Sequence, residues 1–459
     1  MAKITITNED LGVKRISIRN SKTVDDKDGN RVLLIKGRLY KRDACRCPMC
    51  MKKSPVYDTK KDRYWRTLDV LDMKSYIVMD LHRIQCPEHG VLTEYVPFSP
   101  SGHGFTEAFE MTVAWLARRA DKTTVSMLMR IAWNTVGNII SRVKNTLEPD
   151  PSARFDNLKN IGVDETSYKR GYKYITTVVN LDTSTVIWVG INHGYSVLKQ
   201  FFNLLTEDQL KSIETISGDG AKWIDKCQKD FIPQAARGLD PFHTVEWAEE
   251  ALEAVRRAEW SAANKKLKEA KKNQKKRNAG RPKKGEEDPL RDQKQAVREL
   301  KNSRYALTKN PENLTANQTA KLDLIASTNK KLIRAYRLKE QLRLIFKLTD
   351  KDDVESYLKK WLGWSQRCRI PEFVELGRKI RRHKEDILAT VERGLSSAKV
   401  ESLNNKIKLV IKRSYGFRSI ENLKSMVLLY CSDLIIPLPN RKNTRKKGQK
   451  SFTKELIVW

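Results

Sequence analysis

The chain has 459 residues and a formal net charge of +33, from 89 Lys plus Arg against 56 Asp plus Glu. That length exceeds what one hydrophobic core organises, so three or more structural units are expected. No apolar run is long enough to cross a bilayer, and Met1 to Thr5 lack the apolar stretch of a secretory signal, so a soluble cytoplasmic protein is expected. Repeated basic blocks without a lipidation motif point to nucleic acid rather than to an anionic membrane.

Residues 1–98 read as an N-terminal region built around a metal knuckle. Short β-like stretches, Lys3 to Thr7 and Val32 to Ile35, look too fragmentary for an independent fold. Cys45, Cys47, Cys50 and Cys86 cluster, whereas Cys227, Cys368 and Cys431 are scattered singly, a distribution that speaks for metal rather than disulfides. Cys47-Pro48-Met49-Cys50 and Cys86-Pro87-Glu88-His89-Gly90 together offer three thiolates and an imidazole, a tetrahedral set for structural Zn2+. Between them Tyr76 to Ile84 alternates like a strand that returns the second knuckle to the first. Cys45 and His82 stand as alternative ligands.

Residues 99–150 are helical. Apolar positions recur at helical spacing from Phe105 to Leu116, again from Thr123 to Met129, and a third helix runs from Asn134 to Val143 after a turn at Ile131-Ala132. Three short helices, the last starting at an Asn cap, suit a helix-turn-helix, with Asn134, Thr135, Asn138 and Arg142 as candidate DNA contacts. The polar stretch Glu148 to Arg154 reads as a linker.

From 156 to 255 strands and helices alternate. Ile161-Gly162-Val163-Asp164-Glu165 is a first strand that carries an acid at its end; Tyr172 to Asn180 and Val186 to Ile191 flank a turn at Asp182-Thr183-Ser184 as a hairpin. An amphipathic helix over Val197 to Leu205 precedes a strand over Ser212 to Ser217, which delivers Asp219. This order describes an α/β sheet of ribonuclease-H type, with Asp164 on the first strand and Asp219 just past the fourth. Alternation along the first strand sends Glu165 to the face opposite Asp164.

Residues 256–390 form a mainly helical, basic insertion. Its Lys-rich run ends in Gly280-Arg281-Pro282, a fragment of a minor-groove hook, and its Trp361 and Trp364 are expected to pack internally. Residues 391–435 close the catalytic region. On a helix there, Glu401, Asn405 and Lys408 share one side, and Lys406 and Arg413 continue the basic character. The tail, 436–459, is basic. Asp164, Asp219 and Glu401, if brought together, would hold two divalent ions, Mg2+ or Mn2+, for phosphodiester chemistry.

Six segments, Cys86 to Gly90, Ile131 to Gly137, Ile161 to Glu165, Asp240-Pro241-Phe242-His243, Lys309 to Thr315 and Val400 to Lys408, together resemble the ISL-three family of bacterial insertion-sequence transposases. The resemblance runs from the knuckles almost to the C-terminus. It implies a DDE transposase with a ribonuclease-H-like core interrupted by a helical insertion, and an acidic triad at Asp164, Asp219 and Glu401. It further implies double-stranded DNA partners (the terminal inverted repeats and a target), a homodimer at synapsis and a place at the nucleoid. Asp240, His243 and Asn405 are candidates for catalytic support. Where members of the family often carry an Asp-Met pair, this chain reads Asp219-Gly220, which leaves Asp240 as an alternative second carboxylate. The competing functions are a catalytically silent zinc and helix-turn-helix regulator, and a ribonuclease-H-like nuclease.

Overall fold

The computed structural model describes residues 6–239, 241–273, 288–348, 350–393 and 397–439. The chain divides into two units, Met1–Ala153 with Lys406–Trp459, and Arg154–Asn405. In the first, β1 (Ile16–Asp25), β2 (Arg31–Leu39), β3 (Val56–Val70), β4 (Met73–Cys86) and β5 (Gly90–Thr93) make one sheet of order β1-β2-β4-β3, with β5 paired to β4. The stretch around Val32 to Ile35 is therefore an integral strand, not a fragment. Leu33 and Ile35 bury the same face as Trp65, Ile77 and Met79, and removing such a face from water is a gain that local pattern in residues 1–44 does not display.

Three helices follow, α1 (Glu107–Ala117), α2 (Lys122–Met129) and α3 (Trp133–Leu147). Asp121 caps α2 by accepting from the Thr123 and Thr124 amides at 2.9 and 3.0 Å, and a left-handed Arg130 ends it. The third helix begins two residues earlier than an Asn134 cap implies. Ala132 is its N-cap, without a side-chain bond, and Asn134 lies inside the first turn.

A 3-10 turn, Pro151–Phe155, spans the division between the units, and the second unit continues with β6 (Asn160–Lys169), β7 (Lys173–Asn180), β8 (Thr185–Ile191), α4 (Tyr195–Phe202), α5 (Glu207–Ser212), β9 (Thr215–Gly218), α6 (Lys222–Phe231) and β10 (Ala236–Leu239). The sheet order is β10-β9-β6-β7-β8, with β7 and β8 antiparallel and β9 and β10 parallel to their neighbours. The strand expected over Ser212 to Ser217 starts later, because a capping box between Thr206 and Gln209 makes a short helix that runs through Ser212. Ile161, Val163 and Ile216 pack under Leu198, Phe201 and Phe202 of α4 and Ile224 of α6.

Eight helices come next: α7 (Pro241–Asn273), α8 (Arg291–Asn302), α9 (Arg304–Thr308), α10 (Ala316–Thr328), α11 (Lys330–Ile345), α12 (Lys351–Arg367), α13 (Pro371–Arg382) and α14 (Lys384–Glu392). They share a core of their own that Leu239 of β10 joins, and Thr390 Oγ1 donates to the Leu239 carbonyl at 2.9 Å. Trp361 is buried and its indole N–H donates to the Leu338 carbonyl at 2.9 Å, whereas Trp364 is 42% exposed, contrary to its expected packing. Gly280-Arg281-Pro282 lies outside the described residues. The division between units falls within α15 (Ser397–Arg413), after which α16 (Ile420–Cys431) packs on α3 in the first unit. Residues 440–459 are outside the description. Among the described residues, no helix is long and apolar enough to cross a membrane.

Candidate metal and DNA sites

The knuckle is assembled from two turns that sequence separates by 35 residues. In the first, the Met51 amide donates to the Cys47 carbonyl and the Met49 amide points at Cys47 Sγ, 3.4 Å away. In the second, Cys86 and Gly90 pair across the β4–β5 hairpin, and Gly90 takes the left-handed φ of +72° that favours glycine. Cys47, Cys50, Cys86 and His89 converge, with ligand atoms all within 4.8 Å of one another. Cys47 Sγ to His89 Nδ1 is 3.7 Å, Cys50 Sγ to Cys86 Sγ 3.7 Å and Cys86 Sγ to His89 Nδ1 3.6 Å. A zinc tetrahedron with Zn–S of about 2.3 Å has edges of about 3.8 Å, so the donor set fits that ion. The hydrogen bond from His89 is the main cause that holds the Cys86 thiol down at about 6. The two alternative ligands, Cys45 and His82, are not among these four. Burial pushes the Cys45 thiol up while its amide donates to Glu94, and His82 Nδ1 bonds Thr59 Oγ1 at 2.8 Å.

On α3, Asn134 and Asn138 are exposed and one turn apart, and Thr135 is half-buried. Arg142 is not available beside them. Its guanidinium donates to buried Glu110 at 2.8 Å from Nε, tying α3 to α1. Arg413 is likewise turned inward, with Nη1 donating to the Arg118 carbonyl at the end of α1 at 2.6 Å. Both are candidate DNA contacts, and in this structure both side chains brace the first unit internally. An unpaired carboxylate or helix-end carbonyl in such places is costly, which is why the cations are drawn in. Lys406 and Lys408 are exposed on α15.

In the second unit β6 and β9 run in parallel register, Asn160 opposite Thr215 and Gly162 opposite Ser217. Thr215 Oγ1 donates to Asn160 Oδ1 at 2.7 Å, so this row of side chains shares one face. Beyond that pairing the close approach of the strands carries Asp164, within β6, and Asp219, just past the end of β9, and the charges of both reach Glu165. Gly218 makes this approach possible: a Cβ there would lie 3.0 Å from the Val163 carbonyl. Asp219 Oδ1 accepts from the Ala221 amide at 3.1 Å, and its carbonyl accepts from Arg237. Glu165 lies on the Val163 face, yet it feels both acids. Burial lifts its carboxyl above the usual range, His193 (Nδ1 3.7 Å from Oε1) opposes, and the charges of Asp219 and Asp164 add to the rise.

Residues that the sequence did not single out surround Asp219. A Cβ on Gly220 would lie 2.6 and 2.7 Å from Trp247 ring atoms and 3.4 Å from His383 Nε2. Lys379 Nζ sits 3.4 Å from the Trp247 ring centroid, and His383 Nδ1 bonds Asp386 Oδ2 at 2.8 Å. Burial lowers the Lys379 ammonium pKa, while the charge of Asp219 is among the groups that raise it. Sequence spacing does not link them to Asp219, since Trp247 comes from α7, Lys379 from α13 and His383 from the junction of α13 and α14. Of the remaining candidates, His243 Nδ1 bonds Glu246 Oε2 at 3.1 Å on α7, and Asn405 is exposed on α15. Asp240 lies outside the described residues, as does the side chain of Glu401, whose backbone is helical.

A family model described as a transposase matches residues 161–427, and the helix-turn-helix domain of transposase family ISL3 matches residues 94–143. The transposase for insertion sequence element IS1557 of Mycobacterium tuberculosis is 40% identical over 437 residues, covering 94% of this chain and 96% of that protein. The transposase for insertion sequence element IS1001 of Bordetella parapertussis is 22% identical over 378 residues, 82% of this chain and 86% of its own length. With one model covering more than half of the chain and a relative matched nearly end to end, this chain belongs to the ISL3 family of DNA transposases.

Proposed function

We propose that this transposase binds the terminal inverted repeats of its element through the helix-turn-helix and the knuckle region. Asp164, Asp219 and Glu401 then act as one acidic triad that cuts and rejoins DNA strands. The observation that carries this is that Asp164, within β6, and Asp219, just past its parallel neighbour β9, are close enough for both charges to act on Glu165. The order β10-β9-β6-β7-β8, a hairpin on one side of β6 and parallel strands on the other, supports a ribonuclease-H-like core. Three carboxylates give hard oxygen donors suited to Mg2+ or Mn2+. When bound, such a pair of ions activates the attacking oxygen and stabilises the leaving one.

The chain's own part is placement. Asn405 and Lys408 share a side of α15 with Glu401 and offer donors to phosphate oxygens. In cleavage a water oxygen bonds to phosphorus as the P–O3′ bond breaks, and the 3′ oxygen leaves with the electron pair and takes up a proton. In joining, that 3′-hydroxyl attacks a target phosphodiester, one bond forming as one breaks, so no outside energy source is needed. Two ends must meet, so the working form is a homodimer. Cys47, Cys50, Cys86 and His89 hold structural Zn2+.

Labelled DNA ends of the element, incubated with protein and Mg2+ or Mn2+, test the triad. Asp164→Asn is expected to bind the ends and leave them uncut. Equal cleavage by both proteins would sink the assignment of Asp164, and cleavage by neither would favour a DNA-binding regulator.

A further inference from the structure

The helix α15 ends in a way that its sequence makes costly. The Gly416 amide donates to the Ile411 carbonyl at 3.4 Å and the Tyr415 amide to the Lys412 carbonyl at 3.2 Å, the paired bonds of a Schellman cap. The left-handed position of that cap, where glycine is favoured, is occupied by Tyr415 at φ +49°. The ring gains no burial in exchange, for Tyr415 is 89% exposed. A large aromatic side chain held in a disfavoured conformation and aimed at solvent is a ready contact surface.

What it would contact follows from where the loop is fastened. The Arg418 guanidinium lies 5.5 Å from the ring centroid of Trp133, the first residue of α3. Lys122 Nζ bridges the same Trp133 ring at 4.6 Å and Phe417 at 5.3 Å. Ser141 Oγ donates to Asn422 Oδ1 at 2.9 Å, and a Cβ on Gly137 would lie 2.3 Å from Asn422 Nδ2, so α16 fixes the far side of the loop against α3. The loop is thus bound to the N-terminal end of α3, the end that meets base edges in a helix-turn-helix complex. Lys412, Tyr415 and Arg418 are all exposed there.

We propose that the loop between α15 and α16 is a second DNA-contacting element. Tyr415 packs against the duplex next to the base pairs faced by Asn134 and Asn138, and Arg418 and Lys412 contact its phosphates. This rests on the DNA-binding role of the helix-turn-helix, so the test includes α3 variants.

Binding of a labelled duplex of the element's terminus is measured for wild type, Tyr415→Gly, Tyr415→Phe, Arg418→Ala and Asn138→Ala, with thermal unfolding of each. Tyr415→Gly puts the favoured residue at the cap, so its Tm should hold or rise while affinity falls roughly tenfold, and Tyr415→Phe should restore binding. Hydroxyl-radical footprints should lose protection only beside the segment that Asn138→Ala affects. Wild-type affinity in Tyr415→Gly overturns the proposal, and so does weakened binding that accompanies a lower Tm, which would make the ring a packing element. If Asn138→Ala also leaves binding unchanged, it is the helix-turn-helix role that fails.

Discussion

Gly220 owes its place to Trp247. The indole occupies the volume that any side chain at 220 would need, and a rigid ring cannot yield as a flexible chain end can. Gly220→Ala is expected to cost about 1–3 kcal/mol and to slow strand cleavage, as urea midpoints and end-cleavage rates would show. Unchanged midpoints would mean that Trp247 moves freely. Further along α7, the hydrogen bonds of Arg256 and then Arg257 hold the Glu253 carboxyl down at about 2, against an ordinary 4.5. A depressed carboxylate stabilises the fold above its unfolded pKa and loses that contribution as pH falls through the folded one. Glu253→Gln should therefore lower stability by about 1–2 kcal/mol near neutral pH, with the difference shrinking between 4.5 and about 2. A constant difference over that window would contradict the ion pair as its source. Charge type at Arg142 and Arg413 was legible in the sequence, but their partners were not.

At the scale of elements, the knuckle joins two turns through four side chains and little apolar burial, since its own cluster is only Cys47, Ile84 and Cys86 with Cys45, Cys50 and Leu92 at the edge. A bound metal would supply the cross-links that so small a core lacks. Metal analysis should find about one zinc per chain, and Cys47→Ser should lose it together with specific end binding, while the second unit keeps its unfolding transition. Well-folded protein without zinc would remove that assignment. The segment Lys309 to Thr315, which helped to carry the family resemblance, has a structural explanation. Glu312 accepts from Arg343 at 2.9 and 3.0 Å, and Thr315 and Gln318 form a capping box that starts α10. It shapes a corner of the insertion, and nothing in its local pattern separates that from a role in chemistry.

For the whole molecule, a net charge of +33 sets how it meets DNA. Affinity for a random-sequence duplex should drop on the order of a thousandfold between about 50 and 200 mM salt, because each neutralised phosphate releases counterions. A flat salt response would show that the charge is not used on the DNA backbone. The sequence by itself determined the donor types and their periods: thiolates and imidazole at knuckle spacing, an acid on one strand (its end expected at Glu165, though β6 continues to Lys169) and another just past a later one, three short helices ahead of them. Those are local properties, carried by side-chain chemistry and by the repeat of strand or helix. Only the tertiary structure decided among equals. It set Cys45 and His82 aside from the metal cluster, drew Arg142 and Arg413 inward, made strands of residues judged fragmentary, and brought Trp247, Lys379 and His383 to Asp219. Each of those choices joins residues far apart in the chain, and it is settled by which buried face and which unpaired polar group must be satisfied once the elements pack.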